Sequence, residues 1–130
     1  MSDITNQELV EKAFEAQQRS YSPYSEFKVG AALLSTSGKV YLGTNIENAS
    51  YGLAVCAERN AVFKAVYDGE KTFSKIAVVG GNGEKFCMPC GACRQVIVEF
   101  APKLEWIFGT KSGELKVHPM SEILPNAFEF

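Results

Sequence analysis

No long apolar run, no excess of one charge and no basic cluster occurs in this chain of 130 residues. A bilayer-spanning helix needs roughly 20 consecutive apolar residues, and nothing here approaches that length. Lys and Arg number 13 against 15 Asp and Glu, a formal net charge of −2. With cations scattered among anions, the chain lacks the electrostatic footprint that nucleic acid or an anionic membrane requires. The opening residues Met1-Ser2-Asp3-Ile4-Thr5-Asn6 lack the basic segment and apolar core of a secretory signal, so the expected location is cytoplasmic. Repeats, low-complexity tracts and Pro/Ser-rich linkers are also missing, which predicts one domain over residues 1–130. Hydrophobic side chains make up 46% of the sequence. A chain of this size buries roughly two-thirds of its unfolded surface and needs no disulfide staples.

What is present in concentrated form is cysteine. All four thiols, Cys56, Cys87, Cys90 and Cys93, fall in the central part of the chain. In a reducing compartment such thiols point to metal binding or catalysis before disulfides. A single isolated cysteine is usually a small buried hydrophobe. Three at Cys-x-x-Cys-x-x-Cys spacing fit that description poorly.

Thr5-Asn6-Gln7-Glu8 has capping-box spacing, and Leu9, Val10, Ala13, Phe14 and Gln17 continue one stripe, predicting a helix from Asn6 to Ser20. Ser22-Pro23-Tyr24-Ser25 breaks it. Val29–Leu34 and Val40–Asn45 read as a hairpin turning at Ser37-Gly38. Gly30-Ala31-Ala32 would let something bulky lie close on one face of its first strand. Ala57–Tyr67 and Ala92–Phe100 read as helices, and Ile76–Val79 as a buried strand. Trp106–Phe108 and Leu115–Val117 read as two short strands split by Ser112-Gly113, before a last helical turn near Ser121–Leu124. The order predicts an α/β sandwich, with helices on the faces of a mixed sheet of about five strands.

Cys56 then stands at one helix start, and Cys90 and Cys93 at another. Thiols three apart on a first turn project together. Two thiolates on a tetrahedral zinc lie about 3.8 Å apart, given a zinc–sulfur length near 2.3 Å. Helix N-termini favour the thiolate. Cys56, Cys90 and Cys93 thus make a three-ligand set with an open fourth place, the pattern of catalytic zinc. Cys87 stands at the same spacing before Cys90 and competes for a place in the set. Glu58, two residues after Cys56, is placed to move protons without being a ligand. Arg59 would offset the charge of three thiolates on one Zn²⁺.

Three segments carry a family resemblance: Asn45-Ile46-Glu47-Asn48-Ala49-Ser50-Tyr51-Gly52, Cys56-Ala57-Glu58-Arg59, and Pro89-Cys90-Gly91-Ala92-Cys93-Arg94-Gln95. With Ser22-Pro23-Tyr24-Ser25, Val29-Gly30-Ala31-Ala32-Leu33, Leu124-Pro125 and Phe128, they closely resemble the short cytidine deaminases over nearly the whole chain. The resemblance implies a three-layer α/β/α sandwich and hydrolysis of a cyclic amidine C–N bond. Cytidine and 2′-deoxycytidine would become uridine and 2′-deoxyuridine with release of ammonia, a step of pyrimidine salvage. It implies one zinc per subunit on Cys56, Cys90 and Cys93, with Glu58 as proton shuttle. Asn45 and Glu47 would hold the ribose, Phe27 would pack on the pyrimidine, and the Ala57 backbone would position the base. Phe128 would reach the site of an adjacent subunit in a homotetramer with shared active sites. Met88 departs from the small polar residue common before Pro-Cys, and His118, the lone histidine, matches no element of the motif.

Asn45 and Glu47 alternate on an extended segment, so their side chains share a face suited to a sugar. That pairing and the absent basic channel favour a free nucleoside over a polynucleotide. Three other readings compete: a deaminase of a cytosine-nucleoside antibiotic such as blasticidin S, a Cys-x-x-Cys redox protein, and a closed structural zinc module with all four cysteines as ligands. The redox reading leaves Cys56-Ala57-Glu58 unexplained, and closed four-thiolate modules normally draw on two separated pairs.

Overall fold

The structure is a computed structural model that describes residues 4–130. Met1, Ser2 and Asp3, part of the segment read for a secretory signal, lie outside the described residues. Helix α1 (Asn6–Gln17) leads into strands β1 (Val29–Ser35) and β2 (Val40–Thr44), then helix α2 (Ala57–Tyr67) and strand β3 (Phe73–Gly80). Helix α3 (Gly91–Phe100), strands β4 (Glu105–Gly109) and β5 (Leu115–Pro119) and the short helix α4 (Met120–Ile123) complete the fold. The five strands run in the order β2-β1-β3-β4-β5, with only β3 and β4 parallel. None of the described helices is long and apolar enough to cross a membrane.

Alternation along the strands divides the core into two layers. Ala32, Ala77, Val79 and Ile107 face Leu9, Val10 and Ala13 of α1. Ala31, Leu33, Ile76, Val78, Trp106 and Phe108 face α2, α3 and α4 through Ala61, Val62, Ile97 and Met120. The α/β/α sandwich with a five-stranded mixed sheet is therefore the observed architecture.

Helix α1 begins as its capping box dictates: the Glu8 amide donates to Thr5 Oγ1 at 3.1 Å and the Thr5 amide to Glu8 Oε1 at 2.8 Å. It stops at Gln17, short of the predicted Ser20. Buried Gln17 turns its amide to the Lys28 and Gly81 carbonyls at 2.9 and 2.8 Å, and Tyr21 leaves the helix to bridge Ile46. Tertiary partners override the local pattern there. At Gly30 an added Cβ would sit 2.0 Å from the Ala13 carbonyl oxygen, so the bulky neighbour predicted for this small-residue stretch is the α1 backbone. At Gly43 an added Cβ would meet the Ala57 carbonyl oxygen at 2.3 Å, so α2 lies directly on β2.

Register gathers the loops that matter at one end of the sheet. Val29 pairs with Gly80 and Gly30 with Thr44, which aligns the entry to β1, the exit of β2 and the exit of β3. Val78 pairs with Phe108, bringing the exit of β4 to the same end.

Candidate active site

Cys56 is the N-cap residue of α2 and Cys90 the N-cap of α3. Neither side chain caps its helix, which leaves both sulfurs free to turn toward each other. Cys56 Sγ lies 3.6 Å from Cys90 Sγ, and Cys90 Sγ lies 3.5 Å from Cys93 Sγ. All three sulfurs fall within 4.8 Å of one another. Tetrahedral zinc places thiolates about 3.8 Å apart, so the two spacings from Cys90 need an adjustment of only a few tenths of an ångström. An all-thiol set of three is soft and suits zinc. These residues fit the ion.

The electrostatics favour ionised sulfur at Cys56. Hydrogen bonding from Cys93 lowers the Cys56 thiol to about 5, reinforced by Arg59 and Cys90. Cys93 is raised as the donor in that pair. Arg59 Nη2 reaches Cys56 Sγ at 3.6 Å, and the same contact raises the guanidinium. Its Nε is buried and makes no hydrogen bond among the described residues. Its positive charge therefore lies against the Cys56 sulfur.

Glu58 sits on the first turn of α2 with 3% of its surface exposed. Burial lifts its carboxyl to about 7, with a further upward push from Cys56. Buried carboxylates are normally paired with a cation or several donors. Here the hydrogen bond acting on the carboxylate comes from its own backbone amide. An acid kept this way beside a metal-ligating cluster marks a functional site.

Cys87 separates from the other thiols. It is absent from the cluster, and burial raises it to about 11. Its sulfur packs against Gly80, where an added Cβ would approach within 2.6 Å. We therefore expect Cys87→Ser to keep both zinc and activity within about twofold of the parent, since the thiol is far from ionised at neutral pH. Metal analysis of the purified variant checks this, and loss of zinc with unfolding would restore the closed four-cysteine reading.

Asn45 and Glu47 face the loop between α1 and β1. The Asn45 Oδ1 accepts from Ser20 Oγ at 2.6 Å and the Val29 amide at 2.9 Å, while Nδ2 donates to the Phe27 carbonyl at 2.8 Å. Glu47 Oε1 accepts from the Tyr24 and Ser25 amides at 3.0 and 3.1 Å, and Oε2 accepts from the Ser25 hydroxyl. The Ser25 hydroxyl bond is the main cause that holds the Glu47 carboxyl below its ordinary value. Phe27 is 47% exposed, and its ring lies over Gly80 and Gly81. Ala57 is fully buried, whereas Phe128 is 72% exposed and belongs to the tail beyond α4.

Cavities frame this region. One of about 310 Å³ is lined by Tyr24, Ser25, Glu47, Asn48, Tyr51 and Ala54. A second, of about 800 Å³, runs past Phe27, Gly80, Gly81 and Cys87. A more voluminous groove of about 910 Å³ lies between α1, β2 and α2, and none of Phe27, Asn45, Glu47, Glu58 and the three clustered thiols lines it. Chemistry, not volume, locates the site. Sequence reading missed two supports, the Ser25 contact to Glu47 and Arg94. The Arg94 guanidinium donates to the Pro89 carbonyl at 2.9 Å and the Ile123 carbonyl at 2.7 Å, bracing the turn before Cys90 against α4. Arg94 lies inside the motif, so its place was visible although its role was not.

Comparison with known proteins agrees with this geometry. Residues 3–110 match the model of the cytidine and deoxycytidylate deaminase zinc-binding region. A cytidine deaminase of Halalkalibacterium halodurans is 47% identical over 126 residues, covering 96% of this chain and 95% of that protein. The crystal structure of cytidine deaminase from Burkholderia pseudomallei superposes with a TM-score of 0.90 at 47% identity, covering 95% of this chain and 99% of that one. That from Mycobacterium leprae gives a TM-score of 0.83 at 38% identity, with 95% and 100% covered. With the thiol trio, the buried glutamate and the match along most of its length, this chain belongs to the cytidine and deoxycytidylate deaminase family.

Proposed function

We propose that this protein hydrolyses cytidine and 2′-deoxycytidine to uridine and 2′-deoxyuridine with release of ammonia, serving pyrimidine salvage in the cytoplasm. One zinc per subunit would be held by Cys56, Cys90 and Cys93. The observation that carries the reading is the carboxyl of Glu58, buried and in no ion pair among the described residues, beside three clustered thiols. When bound, zinc supplies a water acidified toward neutral pH.

Glu58 takes a proton from the attacking water and delivers it to N3 of the pyrimidine. The new tetrahedral C4 carries a hydroxyl and an amino group. Glu58 then removes the hydroxyl proton and hands it to the amine, which leaves as ammonia while the C4 carbonyl forms. A carboxyl that titrates near neutrality suits both directions of transfer. Arg59 offsets the sulfur charge on one side of the cluster.

Asn45 has its oxygen occupied twice and one of its two N–H groups committed, so it meets a sugar hydroxyl as a donor. Ionised Glu47 can only accept. Together they suit a sugar better than a bare base. Phe27 offers its exposed ring to the pyrimidine face, and the Ala57 backbone helps to position the base. Phe128 would cross to the site of a neighbouring subunit in a homotetramer, a role that its exposure permits.

Zinc content and ammonia release on a single purified sample test the assignment. About one zinc per chain with rapid conversion of cytidine is expected. Turnover confined to blasticidin S in a parallel assay, or insulin reduction without zinc, would sink it.

A further inference from the structure

The loop from Ser22 to Phe27 is held to the 45–47 segment by a chain of hydrogen bonds with a fixed direction. The Phe27 amide donates to Ser25 Oγ at 3.0 Å, and the Ser25 hydroxyl donates to Glu47 Oε2. An amide nitrogen only donates and an ionised carboxylate only accepts, so the single hydroxyl proton has one place to go. The other side of Phe27 is held as well, since its carbonyl accepts from Asn45 Nδ2 at 2.8 Å. Between Ser25 and Phe27, Glu26 adopts a φ of 58°, in the left-handed region that residues with side chains avoid. Such a backbone turn keeps its shape only when its neighbours anchor it.

We propose that Ser25 is a positioning residue that couples the sugar-binding carboxylate of Glu47 to the base-packing ring of Phe27, so that engaging the sugar sets the ring. This rests on the assignment of Glu47 and Phe27 to the nucleoside made above. Two consequences follow from the contacts. Ser25 takes up one lone pair of Oε2 and thereby aims what remains toward the cavity of about 310 Å³ that both residues line. Loss of the hydroxyl frees the carboxylate to rotate and also leaves the Phe27 amide without its acceptor. Release of the Phe27 amide should weaken binding of any pyrimidine nucleoside slightly, and loss of the carboxylate's aim should weaken binding of one with sugar hydroxyls much more, with little effect on the chemical step at C4.

The test is steady-state kinetics on zinc-loaded enzyme for Ser25→Ala, Ser25→Thr, Glu47→Gln and the Ser25→Ala/Glu47→Gln double variant. Cytidine and 2′,3′-dideoxycytidine serve as substrates. For Ser25→Ala we expect KM for cytidine to rise by about tenfold or more, the scale of one lost hydrogen bond to a charged group, with kcat within about threefold. The penalty should shrink below about threefold on dideoxycytidine and on the Glu47→Gln background, and Ser25→Thr should restore most of it. Because the substrates are compared within one variant, any loss of folded protein cancels. An equal penalty on both substrates, full additivity with Glu47→Gln, failure of threonine to rescue, or a loss lodged in kcat would overturn the coupling. A Glu47→Gln variant with parental KM would overturn the Glu47 assignment and this proposal with it. A raised KM in Glu47→Gln beside a silent Ser25→Ala would overturn the coupling alone.

Discussion

Replacing Glu58 by Gln is expected to leave about one zinc per chain and to cut cytidine turnover by roughly two orders of magnitude or more. The substitution preserves shape and volume in a site where only 3% of the residue is exposed, so packing on the first turn of α2 is unchanged. It removes the one property that the proposed reaction uses twice, the ability to take up a proton and release it. Zinc binding should survive because Glu58 lies outside the cluster of Cys56, Cys90 and Cys93. Stability should hold or rise slightly, since burial in the parent disfavours the charged carboxylate and the amide has no charge to desolvate. The decisive measurement pairs metal content with single-turnover uridine formation on one preparation. Parental turnover in the zinc-loaded variant would remove Glu58 from the mechanism, and loss of zinc would instead make it part of the metal site.

Much of this site could be read from the residues alone because its chemistry lies in short, ordered segments. Cys56-Ala57-Glu58 and Cys90-x-x-Cys93 each sit at a helix start, where spacing in sequence translates directly into spacing in space. The continuous apolar run Ile76–Val79 marks a strand buried on both faces, while the assignment of its alternate residues to the two core layers comes from the structure. What could not be read depends on partners far apart in the chain. Helix α1 ends at Gln17 because that side chain is engaged by Gly81, 64 residues away. The space beside Gly30 is filled by the α1 backbone, which no local pattern reveals. Glu47 looked like a strand-end carboxylate free for a sugar, yet the Ser25 hydroxyl and the Tyr24 and Ser25 amides already hold it. A ligand-binding group with part of its capacity committed inside the protein is better oriented than a free one, at the cost of fewer sites for substrate.

Replacement of Cys93 by Ala is expected to abolish zinc retention and activity together while leaving the chain folded. Cys93 is fully buried on the first turn of α3, and its sulfur stands 3.5 Å from that of Cys90. Two thiols cannot complete a three-ligand set, so zinc content should fall to about a tenth of the parental value or less after dialysis. A structural zinc module would lose its fold with the metal. This chain should not, because its core rests on packed apolar side chains on both faces of the sheet, among them Leu9, Val10, Leu33, Ile76, Trp106 and Phe108. A bound ligand at a thousand times its dissociation constant contributes only about 4 kcal/mol of stability, and losing that lowers the melting temperature without removing the core. Chelator treatment of the parent should therefore match the variant, with far-UV circular dichroism retained and turnover absent. The difference lies in recovery: added zinc should restore the stripped parent and leave Cys93→Ala inactive. Unfolding of the stripped parent would identify the metal as structural, and a Cys93→Ala variant with full zinc would shift the third ligand to Cys87.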